Sequence, residues 1–126
     1  MNRFSHIDLR VNRLALALPF YEKLLPALGF TRTFHSADWR VFAGEGELPS
    51  APYFAITEDA NHRPCANLIG FWATDREEVD RIAALVKEAG GKLNDGPRQF
   101  PISPTYYAVY FEDPCGNKYE VVHRLN

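Results

Sequence analysis

The chain runs through one order of elements twice, and this repetition limits what it can fold into more than any single motif does. Residues 4–11, FSHIDLRV, alternate strictly after Phe4, with Ile7, Leu9 and Val11 on one face and His6, Asp8 and Arg10 on the other. That pattern predicts a half-buried strand with an unusually polar second face. A helix should follow, with Asn12 as its cap and Leu14, Leu16, Leu18, Tyr21, Leu24, Leu25 and Leu28 at helical spacing. Pro19 fits the first turn if the helix proper begins near Leu18, and Pro26 should bend or end it before Gly29. Three short strands are expected at about 30–35, 39–44 and 52–57, separated by the turn-like HSAD and GEGELPS.

The second half repeats that order. CANLIGFWAT (65–74) reads as a strand, and DREEVDRIAALVKEAGG has every sign of a helix. Asp75 or Thr74 caps it, acids fill its first turn, and Val79, Ile82, Ala83, Leu85 and Val86 form its apolar stripe before Gly90-Gly91. KLNDGP should be a short strand running into a turn, TYYAVYFE (105–112) a strand, DPCGN (113–117) a turn and KYEVVHRL the last strand. With His6 set opposite Leu68, Gly29 and Gly91 both fall 23 residues later, and the last strands meet at Ala55 (+49) and Glu120 (+52). Neither half buries its sheet face alone, so a packed pair of β-α-β-β-β modules is expected: module one 1–58, linker 59–64, module two 65–126, in one domain.

Composition removes several classes of function. A net charge of −2 and the lack of a basic stripe argue against nucleic acid as a partner. The opening MNRFSHIDLRV has no apolar core of the signal-peptide kind, and no apolar run approaches membrane-spanning length. A cytoplasmic protein without membrane contact is expected. Cys65 and Cys115 lie in no metal-binding spacing, so free thiols fit best. Aromatic residues make up 13% of the chain, which suits either a dense core or an aromatic-lined pocket.

Three segments in order, the opening HIDLRV, FYEKLLPALGF at the end of the first helix, and YFEDPCGNKYEVV near the C-terminus, resemble the vicinal oxygen chelate superfamily. This is the superfamily of glyoxalase I, bleomycin-resistance proteins, fosfomycin-resistance enzymes and extradiol dioxygenases, and the resemblance spans essentially the whole chain. It implies an α+β fold in which paired modules curl a mixed sheet into an open cup, and small members that usually form homodimers. It also implies up to four metal ligands, one near the start of each module's first strand and one on each last strand. His6 matches the first of these positions and Glu120 the last. The other two fall on Leu68, with Asn67 beside it, and on Ala55, or on Phe54 or Ile56 with a slip of one residue; none is a good ligand.

A durable divalent site needs three or more nitrogen or oxygen donors. His6 and Glu120 supply two, and Asp8 and His35 are the nearest conceivable additions. Without metal, His6 and Glu120 would be a hydrogen-bonded pair, or a catalytic general-base pair in which Glu120 orients the imidazole, with Arg10 as the only cation on that strand face to stabilise an enolate. Leu68, Gly70 and Trp72 should face the cup while Ile69 and Phe71 pack on the helix. With Tyr53, Tyr107 and Trp39 they suggest a pocket for a flat or hydrophobic ligand, or the filling of a closed cup or dimer interface. Two readings follow. One is a small-molecule-binding protein of this superfamily with no cofactor. The other is a lyase, isomerase or dioxygenase holding Zn, Ni, Fe, Mn or Mg on His6 and Glu120.

Overall fold

The computed structural model describes residues 3–36, 38–47 and 50–125. The chain divides into two compact units at Arg63/Pro64. The first contains β1 (His6–Val11), α1 (Leu14–Ala27), β2 (Arg32–His35), β3 (Trp39–Ala43) and β4 (Tyr53–Glu58). The second contains β5 (Leu68–Trp72), α2 (Arg76–Glu88), β6 (Lys92–Gln99), β7 (Tyr107–Glu112) and β8 (Lys118–His123). Each unit is a mixed four-stranded sheet, ordered β1-β4-β3-β2 and β5-β8-β7-β6, with its first strand parallel to its last. The duplication expected from the sequence is therefore a duplication of topology. No helix among the described residues is long and apolar enough to cross a membrane.

In the first unit, Leu14, Ala17, Phe20, Tyr21, Leu24 and Leu25 form the buried stripe of α1. Tyr21 meets Phe54 of β4, so Phe54 and Ile56 lie on the helix side of the sheet. Tyr53, Ala55 and Thr57, offset by one residue, take the other face. The helix begins at Leu14, earlier than Pro19 suggested, and runs through both prolines. Its cap is also not Asn12: the Leu14 N–H donates to the Glu58 carboxylate at 2.9 Å, a partner 44 residues away in sequence. Burial of the stripe, at about 1.5–3 kcal/mol for each large side chain, outweighs the hydrogen bond that Pro19 removes.

In the second unit, Val79, Ile82, Ala83 and Val86 pack α2 onto the sheet. Phe71, Phe111 and Tyr119 stack beneath it, with ring centroids 6.0 and 5.6 Å from that of Tyr119. Asp75 caps α2 as expected, its carboxylate accepting the Glu78 N–H at 2.7 Å.

Both helices end in the same way. Phe30 N–H bonds to Leu25 and Gly29 N–H to Pro26, and Gly91 N–H bonds to Val86 and Gly90 N–H to Lys87. This paired closure needs a left-handed residue just past the cap, and Gly29 (φ 96°) and Gly90 (φ 95°) supply it. The counterpart of Gly29 is thus Gly90, one residue before the expected Gly91. The segment KLNDGP also differs from expectation, since β6 continues past Gly96-Pro97 to Gln99. Irregular pairing with β7 between Leu93 and Arg98 absorbs the Gly-Pro step.

Candidate functional site

Strand β8 alternates between the helix and the open face of its sheet. Tyr119, Val121 and His123 go to the α2 side, where the His123 ring meets the Ala73 carbonyl at 3.2 Å. Lys118, Glu120 and Val122 take the opposite face. In register, Glu120 lies between Gly70 of β5 and Tyr110 of β7. It is a buried carboxylate, only 6% exposed. The Tyr106 hydroxyl donates to its Oε2. On the other side Gly70 leaves a gap, because a Cβ added there would stand 3.8 Å from Glu120 Oε1, in ordinary contact.

Around the carboxylate, Phe100, Ala108 and Val122 form a small buried cluster with Tyr106 and Tyr110 packed on it. The Tyr110 ring meets Phe100 edge-on at 5.0 Å. Burial, followed by the bond to Glu120, holds the Tyr106 phenol well above the usual tyrosine range. Burial also raises Tyr110, partly countered by its hydrogen bond with Tyr106 and reinforced by the negative charge of Glu120. Both phenols therefore remain protonated at neutral pH and able to donate. A concavity of about 210 Å³ opens here, lined by Gly70, Trp72, Tyr106, Glu120, Val122 and Arg124. Its wall is Trp72, 54% exposed, with the Arg124 guanidinium 4.4 Å above the ring. A second, open groove, lined by Ile102, Ser103, Thr105, Tyr106 and Arg124, adjoins it through Tyr106 and Arg124.

The first unit assembles a smaller group. The His6 ring stacks flat on Tyr53 at 4.6 Å, its Nδ1 lies 3.0 Å from the Ser5 hydroxyl, and its Nε2 is 3.8 Å from Asp8 Oδ2. His6 and Asp8 are both exposed. Arg10 and Trp39 flank Thr57 further along the same face. His6, Asp8 and Tyr53 thus come together within their own unit, as do Glu120, Trp72 and Gly70 in theirs. Leu68 is exposed at the start of β5, two residues before Gly70.

Tyr107 is placed elsewhere. Its hydroxyl donates to Asp80 of α2 at 2.7 Å and its ring lies under Arg76, so it belongs to the helix face and not to the concavity. The tyrosines beside Glu120 are Tyr106 and Tyr110. The alternation Tyr107, Val109, Phe111 signals this, since Val109 and Phe111 are the core residues of that strand and Tyr106, Ala108 and Tyr110 share the other face. Arg124, just past the last strand, carries no such signal.

The donors do not fit the ligand set that the metal-dependent fold implies. Ala55 sits at the position equivalent to Glu120 and is buried, and its neighbours Phe54 and Ile56 are core residues. Leu68 occupies the position equivalent to His6. One oxygen of Glu120 is engaged by a phenol. Among the described residues no group of three or more His, Cys, Asp or Glu side chains is arranged to hold an ion.

Residues 3–121 match the family model of the Glyoxalase/Bleomycin resistance protein/Dioxygenase superfamily. The chain belongs to this superfamily. A glyoxalase/bleomycin resistance protein from Albidiferax ferrireducens superposes on this superfamily member with a TM-score of 0.77 at 29% identity, covering 98% of this chain and 100% of its own. The fosfomycin resistance protein FosX of Listeria monocytogenes shares the fold, with a TM-score of 0.70 at 22% identity and coverage of 97% and 93%. A mutant of FosX was crystallised with Mn(II) and a dihydroxypropylphosphonic acid. No curated protein matches the chain.

Proposed function

We propose that this superfamily member binds a small, partly aromatic or hydrophobic molecule on the open face of its second sheet, and does so without a metal. The observation that carries the reading is the pairing of a buried, phenol-bonded Glu120 with an adjoining concavity walled by Trp72, while Ala55 and Leu68 leave the ligand set incomplete. The exposed indole offers a flat apolar surface, and the Gly70 gap gives access to the carboxylate. The exposed Phe34 and Trp39 of the first sheet support a further proposal, that the protein forms a homodimer; light scattering at several concentrations tests it.

The binding reading is tested by a thermal-shift screen weighted toward neutral aromatic compounds, repeated on Trp72→Ala. Ligands are expected to raise the melting temperature of the wild type and to lose that effect in the variant. Metal analysis of the purified protein complements it. A firmly bound divalent ion at one per chain, lost in His6→Ala, would overturn the metal-free reading in favour of a lyase, isomerase or dioxygenase.

A further inference from the structure

We infer that Glu120 anchors the amine end of a small amphoteric ligand and that Arg124 meets its anionic end. The inference rests on the proposed binding face and assigns the chemistry of what sits there. It begins from a charge that the protein leaves poorly compensated. Glu120 is 6% exposed, and among the described residues no Lys, Arg or His forms a salt bridge with it. A carboxylate has about four lone-pair directions to satisfy, and a buried one without a counter-charge is costly. The Tyr106 hydroxyl takes Oε2. Tyr110, in register beside it, also interacts with the carboxylate as a hydrogen-bonding phenol, but it is neutral and adds no positive charge.

The remaining oxygen has an approach. Oε1 faces the position where Gly70 lacks a side chain, on the edge of the concavity. An ammonium or amidinium group entering there would supply both donors and charge, and such charge-assisted bonds are the strong ones. A lone metal ion is a poorer occupant, since one carboxylate with protonated phenols around it falls short of the donors that a divalent ion needs.

The other end of the concavity has the opposite sign. The Arg124 guanidinium lies over the exposed Trp72 ring and also lines the adjoining groove, and no carboxylate claims it among the described residues. Its planar fork suits a carboxylate or phosphonate. A ligand lying along Trp72 would therefore place a cation on the floor at Glu120 and an anion at the rim.

Isothermal titration with para-(aminomethyl)benzoate, benzylamine, benzoate and benzyl alcohol tests this. The amphoteric probe should bind most tightly, and Glu120→Gln should weaken it and benzylamine about tenfold or more while leaving benzoate unaffected. Arg124→Gln should reduce the amphoteric probe to the level of benzylamine. Gly70→Val, which fills the gap but retains Glu120 with its Tyr106 bond, should abolish amine binding with the fold intact by circular dichroism. That result separates loss of the approach from loss of structure. The inference is overturned if benzoate or benzyl alcohol binds as well as the amines, if amine binding survives both Glu120→Gln and Gly70→Val, or if the amphoteric probe shows no saturable binding. Neutral aromatic ligands that bind in a Trp72-dependent way alongside any of these failures would leave the binding face standing and remove only its assigned chemistry.

Discussion

Tyr106→Phe removes one oxygen atom, and its cost should depend on pH in a way that tests the Glu120–Tyr106 bond directly. At neutral pH the phenol donates to a buried carboxylate, so its loss should destabilise the fold by about 1.5–3 kcal/mol, the range for hydrogen bonds to charged groups. The folded pKa of Tyr106 lies above the unfolded value because burial and Glu120 both oppose the phenolate. Once the pH passes the unfolded value near 10, the unfolded chain has lost this proton while the folded chain still holds it, so stability falls as pH rises. For one such tyrosine the loss is about 1.4 kcal/mol by roughly pH 11. Tyr107 adds a slope of the same sign that is present in both proteins and cancels. Tyr110 does not cancel fully, because its bond with Tyr106 lowers its pKa in the wild type alone, so the variant loses somewhat more through Tyr110 as pH rises. The advantage of wild type over Tyr106→Phe should therefore shrink by up to about 1.4 kcal/mol between roughly pH 7 and pH 11, measured by urea denaturation at each pH. A gap that stays constant over that range, or a variant as stable as wild type at neutral pH, would refute the account of Tyr106 as a proton-holding donor to Glu120.

Other substitutions test the frame around the site, the first by titration and the rest by the shift in denaturation midpoint. Glu120→Gln should bring the Tyr106 phenol only part of the way back toward its ordinary range, because burial is the larger cause and remains; ultraviolet titration of tyrosinate measures it. Asp75→Ala removes the acceptor of the Glu78 N–H and should cost about 1 kcal/mol. Tyr119→Ala empties the centre of the second core, where Phe71 and Phe111 stack, and should cost about 3–5 kcal/mol. Gly96→Ala would set a Cβ 2.5 Å from the Ala108 carbonyl oxygen at φ +89°, a backbone clash on top of a strained conformation, costing roughly 2–4 kcal/mol.

The fold was legible because its signals are local. Alternation in HIDLRV, the Asp75 cap, the apolar stripe of the second helix and the DPCGN turn each depend on residues close in sequence. That turn is held as such signals imply, with the Asp113 carboxylate accepting the N–H groups of Cys115 and Asn117 at 2.7 and 3.0 Å. Legibility failed where a distant partner replaced a local one. Asn12 is a good cap by type, yet Glu58 does the capping, and two prolines stay inside α1 because its buried stripe keeps the helix in place. The site divides along the same line. Strand alternation places Gly70 and Trp72 on the face away from the helix, whereas Glu120 enters through the family resemblance. Tyr106 could have been placed by the alternation of Val109 and Phe111, but Arg124 lies past its strand, where alternation no longer assigns a face, so its place beside Trp72 and Glu120 is visible only in the structure.

The duplication explains why the proposed binding chemistry gathers in one unit. The two modules have the same topology, and their pairing registers make Asp8 and Ala55 the counterparts of Gly70 and Glu120. Each module thus has one acid at this pair of positions, on opposite strands. In the first unit the acid is Asp8 on β1, exposed beside His6, while buried Ala55 leaves no polar group facing it across the sheet. An exposed aspartate is well solvated and has little to gain from a ligand. In the second unit the acid moves to the inner strand β8, where neighbours on both sides desolvate it, and the residue opposite shrinks to glycine. Burial raises the worth of every donor that reaches Glu120, and the glycine leaves the way for one to arrive. Where Ala55 leaves the first unit without an acid on its inner strand, Glu120 with Gly70 opposite it gives the second unit the carboxylate on which the proposed organic donor would sit.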